Sequence, residues 1–491
     1  MTPPLRHLRL LAALAALGAA APGCASGALA SAPPPAVADT LSLLGPWLDH
    51  LAADRHLPGL SLVIVRGSTP LWSRRVGFAD LATARPLGPD TRVFAGSVTK
   101  LFTAVLTLAL RDAGRLDLDA PVRRYLPDFA VAGDGAGAVT VRQLLTHRSG
   151  LRREGPDPYW MTYRFPDAAT LRSELASLPL EAPPGTRTRY SNVGYAVLGE
   201  VLAAAGGAPY ADLLDTRVLG PLGLRATTAS GDAAERSAAA TAYSRELRHL
   251  HGARVPREHG DAAAFAAAFG LLTTERDLAA FASFLLGAHP RSADVLSAAS
   301  RAELLAPDAA WPTWTEARGL GFELVRRKGL VRASHNGWFS GHRAQISLVP
   351  EASLAVVVLA NADDAPVADL ADRVLDDLID AEALAAARAG APTPPAPDPA
   401  AAGLAGLYGA GWVPERDVVL LSDGLHQYTP VASTETPIRH GLALLLPDGA
   451  PDAFRVGHAD GQPIHFTRAA DGRGVRLWLE DGTVWLDRRS P

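Results

Sequence analysis

The chain has 491 residues, more than one compact core usually holds, so we expect a large domain and a smaller one. Hydrophobic residues make up 48% and charged residues 20%, which is typical of a globular protein with an ample core. The net charge of -4 argues against a basic, phosphate-neutralising surface, and no nucleic-acid partner is expected.

The N-terminus has the pattern of an export signal. Arg6 and Arg9 precede the apolar run 10–21, which is too short to span a membrane comfortably. The run leads to Cys24, the only cysteine, whose position resembles that of the lipid-modified cysteine of bacterial lipoproteins. We therefore expect a signal peptide of the lipoprotein type in residues 1–24.

The alternative is an ordinary signal that is cleaved near Ala30 or Ala32. In either case residues 25–40 are expected to form a disordered spacer, because Ser31 to Val37 is rich in proline and alanine. The expected localisation is outside the cytoplasm, as a periplasmic or cell-envelope lipoprotein or as a secreted protein. Membrane contact is expected only through the lipid anchor.

In chain order, the first predicted elements are a helix and a hairpin. Trp47 to His56 is expected to be helical, and Leu60 to Val65 and Leu71 to Phe78 are expected to pair as antiparallel strands. Leu101 to Leu110 reads LFTAVLTLAL without a charge, which predicts a helix buried on every side. From Asp117 to about Ala310 the pattern is mostly helical.

The pattern changes to strands near Gly319. Antiparallel neighbours are predicted over Leu320 to Arg326, Leu330 to His335, Arg343 to Val349 and Leu354 to Ala360. Apolar residues between Val367 and Leu378 recur at helical spacing and predict a helix that covers the sheet. Strands at both ends with helices between them predict an α/β (α+β) fold, in which one antiparallel sheet is built from both chain ends and flanked by helices.

The domain boundaries follow from composition. The main domain is expected to span residues 41–388. Residues 389–402 are rich in proline and alanine and predict a linker. Residues 403–491 consist of short apolar runs separated by Asp-Gly pairs, which predicts a small β-rich C-terminal domain.

Ser97 and Lys100 stand three residues apart at the start of the predicted buried helix. At that spacing the two side chains share one helix face, with Cβ atoms about 5–6 Å apart. Burial disfavours the ammonium form of lysine, and a neutral lysine can accept the proton of a serine hydroxyl. A serine three residues before a lysine is common by chance, but a structural lysine in an uncharged helix would be costly. Ser97 is therefore a candidate nucleophile and Lys100 its candidate base.

Two further motifs carry groups suited to the same chemistry. Tyr190 can relay a proton, and Asn192 can donate to a substrate carbonyl and accept from Lys100. His335, at the end of a predicted strand, can donate to a substrate or polarise Tyr190, and Gly337 can let a substrate backbone approach. Taken singly, these residues are better explained as an ordinary helix cap and a hydrogen-bonded strand histidine.

In this order, the three motifs resemble the superfamily of serine β-lactamases and penicillin-binding proteins, which carries the SxxK motif. The resemblance covers about Leu43 to Asp380 and points to the β-lactamase-related family, which includes class C β-lactamases, D-alanyl-D-alanine carboxypeptidases, D-aminopeptidases and esterases. Further matching segments are Pro58-Gly59-Leu60, Leu116 to Asp119, Tyr125-Leu126-Pro127, Val141 to His147 and Pro183-Pro184-Gly185.

The resemblance implies an acyl-enzyme mechanism without a cofactor. Ser97 would be the acylated nucleophile, Lys100 the base and Tyr190 the proton relay. The N–H groups of Ser97 and Trp338 would form the oxyanion hole, and His147 would have a structural role. The substrate contacts would be Asn192, His335, Asn336, Gly337 and Trp338.

The third motif departs from the β-lactamase pattern. It begins with His335 instead of lysine and continues with Asn336 instead of threonine or serine, so a fixed charge and a hydroxyl that would bind a substrate carboxylate are missing. We therefore expect a serine hydrolase that acts on small esters, amides or D-amino-acid peptides, with weak or absent β-lactamase activity.

Other readings stay open. A D-alanyl-D-alanine carboxypeptidase or penicillin-binding protein acting on peptidoglycan fragments, or a β-lactamase, would use the same residues. A non-catalytic binding protein that retains the fold is disfavoured by the intact Ser97, Lys100 and Tyr190. The histidines at His249, His251 and His259 favour a solvated loop over a metal site, so no metal is expected.

Overall fold

The computed structural model describes residues 33–133, 135–156, 159–229, 232–247, 253–308, 314–389, 399–410, 413–457, 461–479 and 484–489. The predicted signal, Cys24, His249, His251 and most of the predicted linker lie outside these residues. The chain divides into two compact units, one formed by residues 55–372 and the other by residues up to Asp54 together with those from Arg373 onward. No helix in the described part is long and apolar enough to cross a membrane.

The described strands in the unit of residues 55–372 are β1 (Gly59–Arg66), β2 (Thr69–Asp80), β3 (Arg85–Pro86), β4 (Val93–Phe94), β5 (Thr228–Ala229), β6 (Ala242–Tyr243), β7 (Pro256–Arg257), β8 (Leu271–Thr273), β9 (Glu316–Arg318), β10 (Glu323–Arg327), β11 (Leu330–Phe339), β12 (His342–Val349) and β13 (Leu354–Ala360). Eight of them form an antiparallel sheet in the order β3-β2-β1-β13-β12-β11-β10-β9. Strand β1 pairs with β13, so that Leu60 lies opposite Ala360, and the predicted sheet built from both chain ends is confirmed.

The described helices lie mainly between the early and the late strands, as predicted. They are α1 (Pro35–Asp54), α2 (Thr99–Asp112), α3 (Val141–Leu145), α4 (Tyr159–Thr162), α5 (Ala168–Ala176), α6 (Asn192–Gly206), α7 (Tyr210–Leu214), α8 (Gly220–Leu222), α9 (Ala233–Ala238), α10 (Ala266–Phe269), α11 (Glu275–Leu285), α12 (Ser292–Val295), α13 (Ala298–Leu304), α14 (Val367–Ala387) and α15 (Pro399–Ala402).

Helix α2 is buried on nearly every side, which confirms the prediction from its uncharged sequence. It packs against α6 and α10, and Phe102 stacks on Phe281 of α11 with ring centroids 3.7 Å apart. Helix α11 lies on β1 and β13. Helix α2 is therefore held between the helical insertion and the sheet, and both can contribute side chains to its N-terminal end.

Two predicted boundaries are wrong. Strand β11 continues to Phe339 instead of ending at the third motif, because residues up to Phe339 pair with β12 as far as His342. Helix α1 begins at Pro35, so residues 35–40 are helical and not a disordered spacer. The helix forms there because Val37, Leu43 and other apolar residues on it are buried.

The second unit contains a closed eight-stranded barrel, which confirms the predicted small β-rich C-terminal structure. Its core includes Tyr408, Leu477 and Leu486, and helix α1 packs along β15. The strands of the barrel are β14 (Gly406–Ala410), β15 (Val413–Leu421), β16 (Gly424–Tyr428), β17 (Leu442–Pro447), β18 (Ala453–Val456), β19 (Pro463–Arg468), β20 (Gly474–Leu479) and β21 (Val484–Arg488).

Asp39 joins helix α1 to the barrel. Its carboxylate accepts hydrogen bonds from the backbone N–H of Ser422 at 2.8 Å and from the Ser422 hydroxyl at 2.6 Å. The guanidinium of Arg439 lies 3.6 Å from the same carboxylate and also donates to the carbonyl of Ala36. Polar contacts thus fix the first turns of α1 at the end of β15.

Replacing Asp39 should loosen this unit. Asp39→Ala leaves the N–H and hydroxyl of Ser422 without their acceptor, and we expect a loss of about 1–3 kcal/mol in the free energy of unfolding. Asp39→Asn keeps one acceptor oxygen and should lie between Asp39→Ala and the wild type. Urea denaturation followed by circular dichroism measures the effect, and an Asp39→Ala protein as stable as the wild type would contradict it.

Candidate active site

The turn Gly96–Val98 carries Ser97 to the N-terminal end of α2, and Lys100 lies in the first turn of that helix. Lys100 is fully buried, whereas Ser97 is half-buried. The Lys100 Nζ is 3.2 Å from the Ser97 Oγ. It also donates to Asn192 Oδ1 and to the carbonyl of Ala268, each at 2.8 Å. The structure thus brings Ser97, Lys100 and Asn192 together, as the sequence predicted.

Tyr190 and Asn192 are positioned by the start of α6. Ser191 caps this helix, and its hydroxyl accepts from the N–H of Gly194 at 2.8 Å. The two neighbours of this cap both reach the site: the Tyr190 hydroxyl donates to Ser97 Oγ at 2.8 Å, and Asn192 accepts from Lys100. The triplet therefore serves as a helix cap and as part of the site at once.

Two glycines let strand β11 lie against the Ser97 turn. A Cβ on Gly96, whose φ is +52°, would lie 2.3 Å from the Trp338 nitrogen, and one on Gly337 would lie 1.8 Å from the carbonyl oxygen of Ala95. The interpretation that Gly337 leaves room for a substrate is therefore wrong, because backbone fills that space. The Cβ on Gly337 would also lie 3.1 Å from the Ser97 nitrogen, so the backbone nitrogens of Ser97 and Trp338 both lie at this contact between the strand and the turn.

His335 lies within β11 and is buried. Its Nδ1 is 2.6 Å from the carbonyl oxygen of Asn336, while its Nε2 has no hydrogen-bond partner among the described residues. Burial lowers the pKa of His335 to about 3, so the ring is neutral at pH 7. Its ring centroid is 6.2 Å from that of Tyr190, and the expected polarisation of Tyr190 through a hydrogen bond is not seen.

Burial also determines the protonation of the central pair. It holds the pKa of Lys100 well below its ordinary value and raises the pKa of the Tyr190 phenol. Lys100 is therefore suited to accept a proton as a neutral amine, whereas Tyr190 stays protonated and donates. The two groups that contact the Ser97 oxygen thus have opposite roles.

Ser97 opens into a cleft of about 560 Å³, a size typical of small-molecule sites. One wall is aromatic, since the rings of Trp160 and Trp338 stack with centroids 5.2 Å apart and an interplanar angle of 29°. The Trp338 Nε1 donates to Asp363 at 2.5 Å, which fixes the indole in this position. The exposed Asn336 also lines the cleft.

The same cleft is also lined by charged residues that were not identified from the sequence. Arg318 donates to Glu323 at 3.1 Å, and the Arg153 Nε is 3.5 Å from Glu154 Oε1. The third motif supplies no fixed charge, but these guanidinium groups place permanent positive charge elsewhere in the cleft, next to acidic neighbours. The guanidinium groups that line the cleft belong to Arg153, Arg318 and Arg343.

His147 supports the site from outside the cleft. Its Nδ1 accepts from the backbone N–H of Ser191 at 3.1 Å, and its ring lies 4.4 Å from that of Tyr190, centroid to centroid. Burial keeps the pKa of His147 well below its ordinary value, so the ring stays neutral. These contacts fit the structural role that the resemblance implies for His147.

Metal-ligating side chains do not gather within the described ranges in groups of three or more. Of the three histidines considered from the sequence, only His259 lies within those ranges. Its two ring nitrogens face the backbone carbonyls of Arg236 and Ala240 at 2.6 and 3.0 Å.

Comparison with known proteins identifies relatives along most of the larger unit. A family model described as Beta-lactamase matches residues 46–381, more than half of the chain. Penicillin-binding protein 4 of Amycolatopsis lactamdurans is 31% identical over 334 residues, which cover 64% of this chain and 83% of that protein. Esterase EstB of Burkholderia gladioli is 37% identical over 190 residues, which cover 36% of this chain and 48% of the esterase.

A solved structure extends the likeness to nearly the whole chain. The octameric penicillin-binding protein homologue from Pyrococcus abyssi aligns with a TM-score of 0.59 at 20% identity, covering 90% of this chain and 98% of that one. At this identity the likeness concerns the fold alone. It confirms the fold class, and the family model confirms the resemblance inferred from the sequence.

The contact between β11 and the Ser97 turn can be tested with Gly337→Ala. The added methyl group meets the Ala95 carbonyl, so the strand must shift and displace the Trp338 N–H. We expect a loss of about 1–3 kcal/mol in stability and a roughly tenfold or larger fall in kcat. Gly45→Ala is the matched control, because a Cβ there meets nothing within 4 Å, and it should leave kcat unchanged. Equal activity of the two variants would contradict the prediction.

Proposed function

Because this chain belongs to the Beta-lactamase family, whose members are generally serine hydrolases, we propose that it hydrolyses ester or amide bonds through an acyl-enzyme on Ser97. The observation that carries this proposal is the convergence of two groups on one serine oxygen. Lys100 approaches the Ser97 Oγ to 3.2 Å and Tyr190 donates to it at 2.8 Å.

The proposed reaction begins when the neutral Lys100 amine takes the hydroxyl proton of Ser97. The Ser97 oxygen forms a bond to the substrate carbonyl carbon, and the negative charge that develops on the carbonyl oxygen faces the N–H groups of Ser97 and Trp338. The leaving group departs with the proton of Tyr190, which regains a proton from the Lys100 ammonium. Water then adds to the acyl carbon and loses a proton to the same groups, which return it to the Ser97 oxygen as the bond between that oxygen and the acyl carbon breaks and the acid is released.

The aromatic wall favours a flat or apolar acyl group. The stacked Trp160 and Trp338 present indole surface beside the oxyanion donor, and the neutral His335 adds no charge. An esterase and a penicillin-binding protein stand among the relatives, so ester and amide substrates, including D-amino-acid peptides, are the classes we propose.

A second candidate is a substrate that carries a carboxylate beside the scissile bond, such as a peptidoglycan fragment or a β-lactam. Arg153 and Arg318, which lie 5.1 and 6.0 Å from the Tyr190 ring centroid, favour it, because a guanidinium binds a carboxylate in two hydrogen bonds. In the free protein their acidic neighbours, Glu154 and Glu323, compete for the same contacts.

A substrate panel distinguishes the two candidates. We expect turnover of p-nitrophenyl esters or D-amino-acid amides to exceed that of a chromogenic cephalosporin, because the arginines are already neutralised by acidic partners. The ratio of kcat/KM values is the measurement. A cephalosporin or a D-alanyl-D-alanine peptide that is hydrolysed faster than every ester and neutral amide would favour the second candidate.

The roles of Ser97 and Tyr190 can be tested directly. A fluorophosphonate probe should label the wild type and spare Ser97→Ala, since only the serine oxygen forms the covalent bond. Tyr190→Phe should lower kcat by roughly 10²-fold, the usual scale for loss of a proton-transfer group. Thr99→Ser, which keeps a hydroxyl beside the site, serves as the control. Labelling of Ser97→Ala equal to that of the wild type would refute the assignment.

A further inference from the structure

Glu154, which the sequence did not single out, lies at the far end of a hydrogen-bond chain from the proposed base. The Lys100 Nζ donates to Asn192 Oδ1 at 2.8 Å, and Asn192 Nδ2 donates to Glu154 Oε1 at 2.6 Å. Both Lys100 and Asn192 are buried, so these hydrogen bonds lie in a low-dielectric environment. There each bond is stronger than in water, and a donor that faces another donor is costly.

The bonds around Lys100 determine where its lone pair points. A neutral amine has two N–H donors and one lone pair, and two of its neighbours, Asn192 Oδ1 and the Ala268 carbonyl, can only accept. Both donors are therefore used, and the lone pair faces the remaining neighbour, the Ser97 Oγ at 3.2 Å. Because the Tyr190 hydroxyl donates to that same oxygen, the serine proton is free to point at Lys100.

This arrangement depends on which way the Asn192 amide is turned. An asparagine amide can present either its oxygen or its nitrogen to a neighbour, and the surrounding hydrogen bonds decide. An ionised carboxylate only accepts, so Glu154 holds Nδ2 toward itself and Oδ1 toward Lys100. With the amide reversed, Nδ2 would face Lys100, and the amine would have to turn its lone pair away from Ser97.

We propose that Glu154 is a positioning residue that acts through Asn192 to aim the lone pair of Lys100 at the serine proton. This inference rests on the proposed function, because it assigns Glu154 a part in the activation of Ser97. It also gives a reason why the acidic side chain of Glu154 lines the same cleft as Ser97.

Glu154 also acts on Lys100 through charge. Burial is the largest effect on the pKa of Lys100 and lowers it, the carboxylate of Glu154 raises it, and the guanidinium of Arg153 lowers it further. Burial raises the pKa of Glu154 itself, whereas hydrogen bonds from Asn192 and Trp160 and the charges of Arg153 and Lys100 lower it. The other titratable or charged groups near Lys100 and the cleft, among the described residues, are Tyr190, Tyr195, His147, His335, Arg318, Glu323 and Arg343.

The test compares variants of Glu154 and Arg153 in the full chain with a p-nitrophenyl ester. Glu154→Leu, which has no acceptor, should lower kcat by about tenfold or more, the scale of one lost charged hydrogen bond. Glu154→Gln keeps an acceptor oxygen and should lose less. KM should stay within about twofold of the wild type, since Glu154 is assigned no contact with the substrate.

The pH profile separates positioning from a general loss of structure. Lys100 must be neutral to act, so the acid limb of kcat/KM reports its deprotonation. Glu154→Gln removes a negative charge that favours the ammonium, so the acid limb should move to lower pH. Arg153→Gln removes a positive charge that disfavours it, so the limb should move to higher pH. A merely structural defect would not move the two limbs in opposite directions.

The outcomes are distinct. If the wild type hydrolyses the ester through Ser97 but the Glu154 variants keep its kcat and its acid limb, this inference is overturned while the proposed function stands. A rise in KM with unchanged kcat would also overturn it, because it would make Glu154 a substrate contact. If the wild type shows no Ser97-dependent turnover, the proposed function fails first. Thermal unfolding of each variant identifies any that does not fold.

Discussion

The burial of one amine is the constraint on which the rest of the site depends. Lys100 is fully enclosed in the first turn of α2, where an ammonium would be expensive to desolvate. The enclosure needs an uncharged helix around it and polar partners at its tip, which are supplied by Asn192 and the carbonyl of Ala268. Burial that lowers the pKa of this amine costs the fold stability, and the same physical effect suits Lys100 to the base role that we propose.

A second constraint is the closeness of β11 to the Ser97 turn. Helix α2 and strand β11 come from segments more than two hundred residues apart, and Gly96 and Gly337 let their backbones approach where any side chain would collide. The proposed nucleophile and the proposed oxyanion donors are therefore placed by backbone atoms of the Ser97 turn and of β11.

Much of the fold and the centre of the site could be predicted, because the signals were periodic or chemically unusual. The uncharged run around Lys100 and the β-branched runs of the late strands need no tertiary context to interpret. Glu154, Arg153 and Trp160 could not be found this way, because they lie in or next to a loop without periodicity and obtain their roles only from contacts. The prediction for Gly337 was wrong for a related reason. A glycine in a strand indicates that another group lies close to the backbone, but only the structure shows that this group is the backbone of Ala95 and not a substrate.

The start of α1 was missed because its partners are remote in sequence. Asp39 bonds to Ser422, a separation of 383 residues, so proline and alanine content was the only local signal at Pro35. This separation has a consequence for the order of folding. As the chain emerges from the ribosome, α1 is synthesised more than three hundred residues before β15, the strand it packs against. Contacts so distant in sequence close slowly, and until they close, the apolar face of α1 has no barrel to cover it and is open to other binders.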